Sequence, residues 1–90
     1  MTRPVFVFDQ AKSDANKVKY GIDFVEAQRL WLDVRTWRQE AESGHEPRYL
    51  IIGMIDGKHW TVVATDRGNR IRLISARRSR KDEVQRYEGQ

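Results

Sequence analysis

Two apolar, β-branched runs, 48–55 and 58–65, stand on either side of Asp56-Gly57. An Asp-Gly pair between such runs is a strong hairpin signal, because a two-residue hairpin turn needs positive φ at its central positions. The chain of 90 residues therefore has an antiparallel hairpin around which everything else must pack. Arg48 to Ile55 has a nearly continuous apolar middle, the pattern of a strand covered on both faces. Lys58 to Thr65 alternates, with Trp60, Val62 and Ala64 on one face and Thr61, Val63 and Thr65 on the other. A turn at Asp66 to Asn69 leads into a third strand, Asn69 to Ala76. Strict alternation there puts Arg70, Arg72, Ile74 and Ala76 on one face. It puts Ile71, Leu73, Ser75 and Arg77 on the other, a core stripe that ends in a charge.

The flanks supply helices. Arg3 to Val7 reads as a strand. Asp9 caps a helix in which Ala11, Ala15 and Val18 recur at spacings of four and three, and Gly21 ends it. Asp23 and Glu26 form a capping-box pattern before a second helix with the apolar face Phe24, Ala27, Leu30 and Trp31. Val34 to Gln39 reads as a strand and Glu40 to Pro47 as a polar loop. Ser79 caps a last helix, with Asp82 and Glu83 in its first turn and Val84 and Tyr87 on its packing edge. The order β-α-α-β-β-β-β-α predicts an α+β domain over 1–90: an antiparallel sheet with helices packed on one face.

Charge enters at the third strand. The formal net charge is +4, from 17 Lys+Arg and 13 Asp+Glu. Residues 67–81 hold Arg67, Arg70, Arg72, Arg77, Arg78, Arg80 and Lys81 and no acid, leaving 10 basic against 13 acidic residues elsewhere. On charge alone so concentrated a block reads as a solvated basic face or as the footprint of an anionic partner, nucleic acid first, and arginines suit bidentate phosphate contacts. Arg70 and Arg72 face away from the core, and with Arg67 and Arg78 they surround one groove.

Other chemistries lack their residues. With no Cys there is no disulfide, thiolate metal site or cysteine nucleophile. There is no Gly-rich phosphate loop, no HExxH and no metal-binding pair of acids, and the two histidines, His45 and His59, read as solvated. The apolar run Tyr49 to Ile52 is too short to cross a bilayer, and Val5 to Phe8, no longer, is too short for a signal peptide. The chain reads as cytoplasmic. RNA is a substrate that needs no metal, since its own 2′-OH can attack the neighbouring phosphate.

Three blocks resemble one family. "FDQAKSDANKVKYGIDFVEA", from Phe8, resembles the W-D-x-x-K-x-x-x-N-x-x-K-H-G opening of BrnT-type toxins. Glu46 to Gly53 resembles their E-x-R-(F/Y) strand, and "TDRGNRIRLISARRSRKDEVQRY", Thr65 to Tyr87, resembles their T-x-R-G…I-R-I-I-S-A-R…E-x-x-x-Y segment. The resemblance implies the toxin half of a type II toxin–antitoxin pair: a RelE-like, metal-independent RNA endonuclease that inhibits translation and uses no cofactor. It implies a BrnA-type antitoxin with a ribbon-helix-helix domain as partner, in a heterotetramer that binds operator DNA, with no membrane involved. Carried onto this sequence, it and the basic block nominate Lys19, Arg67, Arg72 and Arg77 as catalytic. Arg48, Arg70, Arg78, Arg80, Lys81 and Tyr87 are nominated as RNA-binding, and Tyr20 and Glu83 as further candidates. Two departures stand out: Tyr20 where the family usually has His, and Ser79 where it commonly has Ala. Tyrosine is a poor base at neutral pH, so a non-catalytic RNA- or partner-binding module with a decayed toxin fold is the alternative reading.

Overall fold

The computed structural model describes residues 4–41, 44 and 46–90. The expectations at Arg3 and His45 lie outside them. The elements are β1 (Val5–Val7), α1 (Gln10–Tyr20), α2 (Phe24–Ala27), a 3₁₀ turn (Gln28–Leu32), β2 (Trp37–Ala41), β3 (Arg48–Ile55), β4 (Lys58–Arg67), β5 (Arg70–Arg78) and α3 (Lys81–Glu88). One sheet runs β1-β5-β4-β3-β2. Asp56 and Gly57 take φ of 51° and 77°, as the tight turn between β3 and β4 requires.

Two features of the expected architecture are corrected. The sheet is mixed, because β1 pairs parallel to β5, Val5 beside Arg70 and Val7 beside Arg72. Helices also cover both faces. Phe24, Ala27 and Leu30 pack with Ile51, Val62, Leu73 and Ala76 in the main core. Thr61 and Ile52 point the other way by alternation, and α3 lies over them, its Glu83 bonded to the Thr61 hydroxyl. The apolar middle of β3 follows from this: Ile51 is buried under one layer and Ile52 under the other. Gly53 faces the core, where a Cβ would meet Leu30 and Thr36 side-chain carbons at 3.0 Å.

Helix α1 buries a different face from the one its apolar residues suggest. Ala11, Ala15 and Val18 are exposed; Ser13 and Asn16 are buried. The reason lies at the sheet edge. β1 stops at Val7, so among the described residues no strand lies beside Ala76 on that edge of β5. The Asn16 amide takes that place, donating to the Ala76 carbonyl at 2.8 Å and accepting from its N–H at 3.3 Å. The Ser13 hydroxyl accepts from Phe24 N–H and ties α1 to α2. Both ends follow the expected chemistry: Asp9 accepts from Lys12 N–H, and Gly21 closes the helix at φ 83°.

β2 begins at Trp37, later than Val34, which is almost wholly exposed. The Asp33 carboxylate accepts from Arg35 N–H and holds the chain in a turn there. Its other oxygen accepts from Met54 N–H, which lies past the end of the β2 pairing. Ser79 is likewise not the cap of α3. Arg80 occupies that position, Glu83 accepts from its N–H, and the Ser79 hydroxyl bonds Thr61 at 2.8 Å.

Candidate RNA-binding face

A β-bulge decides where the arginines point. Val63 pairs with Ser75 and Ala64 with Leu73, leaving Ile74 without a partner. The extra residue reverses the alternation beyond it. Ala76 therefore joins Leu73 in the core, and Arg77 joins Arg72 on the opposite face, against the expectation that Arg77 lies on the core side.

The face away from the main core is a ladder of rungs. Arg67 pairs with Arg70 at its outer end. Thr65 pairs with Arg72, and Ala41 with Arg48. Continuing the β3–β4 register by one residue sets Arg48 opposite Thr65. Arg48 and Arg72 thus flank Thr65 on one rung, their Cα atoms about 10 Å apart. Next come Gln39, Leu50, Val63 and Ser75, and then Trp37, Ile52, Thr61 and Arg77. α3 roofs the last of these, so Arg77 stands where open sheet meets helix, about 15 Å along β5 from Arg72.

Arg77 is held rigidly. Its guanidinium donates to both Glu83 oxygens, at 2.7 and 2.9 Å. Glu83, only 3% exposed, also accepts from Thr61 Oγ1 at 3.0 Å and from Arg80 N–H at 2.8 Å. Burial alone would push this carboxyl up, but Arg77, the Arg80 N–H and Thr61 outweigh it and hold the acid at about 2. Glu83 is therefore a fixed anion that orients Arg77.

The other arginines differ. Arg67 pairs with Glu46 at 3.1 Å, both partly exposed. Among the described residues no acid pairs with Arg48, Arg70 or Arg72, and Arg48 Nε is buried without a hydrogen-bond partner. Arg78 lies outside the groove it was expected to help surround. It points to the core side over the Trp60 ring, 5.5 Å from its centre, with Nε donating to the His59 carbonyl. Arg80 and Lys81 are exposed at the start of α3.

Lys19 and Tyr20 end α1 beside the free edge of β5. The Lys19 ammonium is 5.2 Å from the Tyr20 ring centre, and Tyr20 is close enough to Arg77 to raise its pKa, after the larger effects of Glu83 and of burial. Tyr87 is turned away from the open rungs. Its hydroxyl donates to Asp33 at 2.6 Å, and its ring meets His59 edge-on. The hydrogen bond to Asp33, helped by burial, raises the phenol to about 12. Asp33 is desolvated, yet bonds from Tyr87, Arg35 N–H and Met54 N–H keep it below its ordinary value. His59 bonds Glu88 at 2.7 Å.

Sequence reasoning passed over Asn16, Asp33 and Thr65. The signal for Asn16 was present: it stands three residues from Ser13, so the two polar side chains share one helix face. Thr65 opens the T-x-R-G match, but its bond to Pro47, like that of Asp33 to Tyr87, spans residues far apart in sequence and left no local mark.

The protein is a small α+β domain with one arginine-lined sheet face, half roofed by a helix, a surface whose charge suits a polyanion. Residues 8–83 match the family model for the ribonuclease toxin BrnT of type II toxin–antitoxin systems, and the chain belongs to that family. Membership implies an RNA substrate and an antitoxin partner. No curated protein matches the chain. Among the described residues no helix is long and apolar enough to cross a membrane, and no group of three or more acids and histidines is placed to hold a metal ion.

Proposed function

We propose that this chain is a RelE-like RNA endonuclease that acts in the cytoplasm, needs no metal, cleaves by attack of the substrate's own 2′-OH and thereby inhibits translation. A BrnA-type antitoxin with a ribbon-helix-helix domain neutralises it, in a heterotetramer that binds its own operator. The observation that carries the reading is the rung on which Arg48 and Arg72 flank Thr65, with no acid among the described residues paired to either. The scissile phosphate sits there and its growing charge meets two guanidinium groups, with Arg77 and Arg70 along the strand. The 2′-oxygen–phosphorus bond forms as the bond to the 5′-oxygen breaks, leaving a 2′,3′-cyclic phosphate and a 5′-hydroxyl. The 2′-OH gives its proton to water and water protonates the departing 5′-oxygen; Lys19 and Tyr20, near Arg77 and about 15 Å along β5 from this rung, hold the flanking RNA. Glu83 has its oxygens committed to Arg77, Thr61 and the Arg80 N–H, so it positions Arg77 and does not act as the base. Arg80 and Lys81 extend the cationic surface along the strand of RNA.

The test is cleavage of a synthetic RNA in EDTA, with the ends identified by phosphatase and kinase treatment. Cyclic or 3′-phosphate ends are expected, and Arg72→Ala, folded by circular dichroism, is expected to lose at least 100-fold in rate (about 2.7 kcal/mol of transition-state stabilisation). Salt-dependent binding without cleavage would replace this reading with that of a non-catalytic module.

A further inference from the structure

Thr65 is only 2% exposed, yet it sits at the centre of the open arginine face, between Arg48 and Arg72. A buried hydroxyl needs a partner, and this one donates to the carbonyl of Pro47, the residue before Arg48. Pro47 precedes β3 and lies outside its pairing with β4, and among the described residues no backbone N–H is seen to donate to its carbonyl. The Thr65 hydroxyl therefore holds the entry to β3 from the β4 side, where pairing with Ala41 holds Arg48 from the β2 side. The neighbouring pair acts at the same place: Arg67, two residues after Thr65, holds Glu46, the residue before Pro47. Two side chains of β4 thus clamp the approach to Arg48. Arg48 has its Nε buried with no partner, so an acceptor is owed to it on this face.

We propose that Thr65 is a positioning residue: by holding the Pro47 carbonyl it presents the Arg48 guanidinium across from Arg72, so that the two bind one phosphodiester between them. This rests on the reading of the face as an RNA site. It changes the role of Arg67, whose guanidinium supports the Arg48 backbone through Glu46 and does not bind the scissile phosphate. Thr65 touches no substrate. It acts through Arg48.

The test uses the full chain and a fluorescent RNA oligonucleotide with 2′-O-methyl groups throughout, which binds but cannot be cut by 2′-OH attack. Binding is measured by anisotropy over a range of salt for wild type, Thr65→Val, Thr65→Ser, Arg48→Gln and the Thr65→Val/Arg48→Gln double variant. Losing one phosphate contact lowers the slope of log K against log salt by about 0.7 for a single strand. Thr65→Val is expected to lower the slope by that amount and to weaken binding roughly tenfold, the worth of one charge-assisted bond. Arg48→Gln should do the same, the double variant should lose no more, and Thr65→Ser should restore wild-type behaviour. A Thr65→Val variant that melts lower but keeps the wild-type slope, or effects that add in the double variant, would overturn the proposal. So would a wild-type protein that fails to bind the oligonucleotide. Wild type that binds with the expected slope but cuts no unmodified RNA removes the nuclease reading alone.

Discussion

Replacing Glu83 by glutamine removes one charge from the most constrained position of the site. The variant keeps the side chain's shape and is the nearest stand-in for the protonated acid. Glu83 is almost completely buried and accepts bonds from two Arg77 nitrogens, Thr61 and the Arg80 N–H. Despite burial, these partners bring its carboxyl from 4.5 to about 2. That displacement corresponds to about 3 kcal/mol of folding stability at neutral pH. Breaking a buried pair on one side costs a similar amount, because Arg77 is left charged and under-bonded. The sign follows from the direction of the shift. A folded-state value below the unfolded one stabilises fully above pH 4.5, and the stabilisation is lost as pH falls toward 2. Wild type should exceed Glu83→Gln by about 3 kcal/mol at pH 7, by about 1.5 kcal/mol at pH 3, and by little at pH 2. Urea denaturation followed by tryptophan fluorescence at these pH values reads the difference directly. At pH 7 the melting temperature should fall on the order of 15 °C. A difference below about 1 kcal/mol at pH 7, or one equal at pH 7 and pH 3, would refute the reasoning that Glu83 is a stabilised buried anion.

Two further substitutions separate packing from binding. Asn16→Ala leaves the Ala76 N–H and carbonyl without their partner at the sheet edge; a loss of about 2–4 kcal/mol in urea denaturation is expected. Tyr87→Phe removes the bond to Asp33, so stability should fall by about 1–2 kcal/mol while affinity for a 2′-O-methyl RNA stays unchanged. A weakened affinity in that variant would return Tyr87 to the RNA-binding face.

Much of the fold was legible because its signals are local. The Asp56-Gly57 turn, the Asp23–Glu26 capping box and the Gly21 helix end each depend on residues within one turn of the chain. The continuous apolar run of β3 even carried the news that both of its faces are covered. The apolar residues of α1 misled because the helix is anchored through polar groups, Ser13 and Asn16, whose partners lie on other elements. Within the site, the arginines were visible as a charge block, but their roles were not. Arg77 and Arg78 are adjacent in sequence and end on opposite faces, one on Glu83 and the other over Trp60.

The sequence by itself determined the hairpin, the capped helices, the arginine block and the family motifs, since each is written in the identity and spacing of near neighbours. Only the tertiary structure decided which arginines share a face. One unpaired residue, Ile74, reverses the alternation of β5 and carries Arg77 from the core side to the face of Arg72. A bulge leaves no fixed mark in composition or period. It arises where β5 must match β4 on one side while α1 seals its other edge at Ala76, and that demand exists only once the strands and helix are in contact.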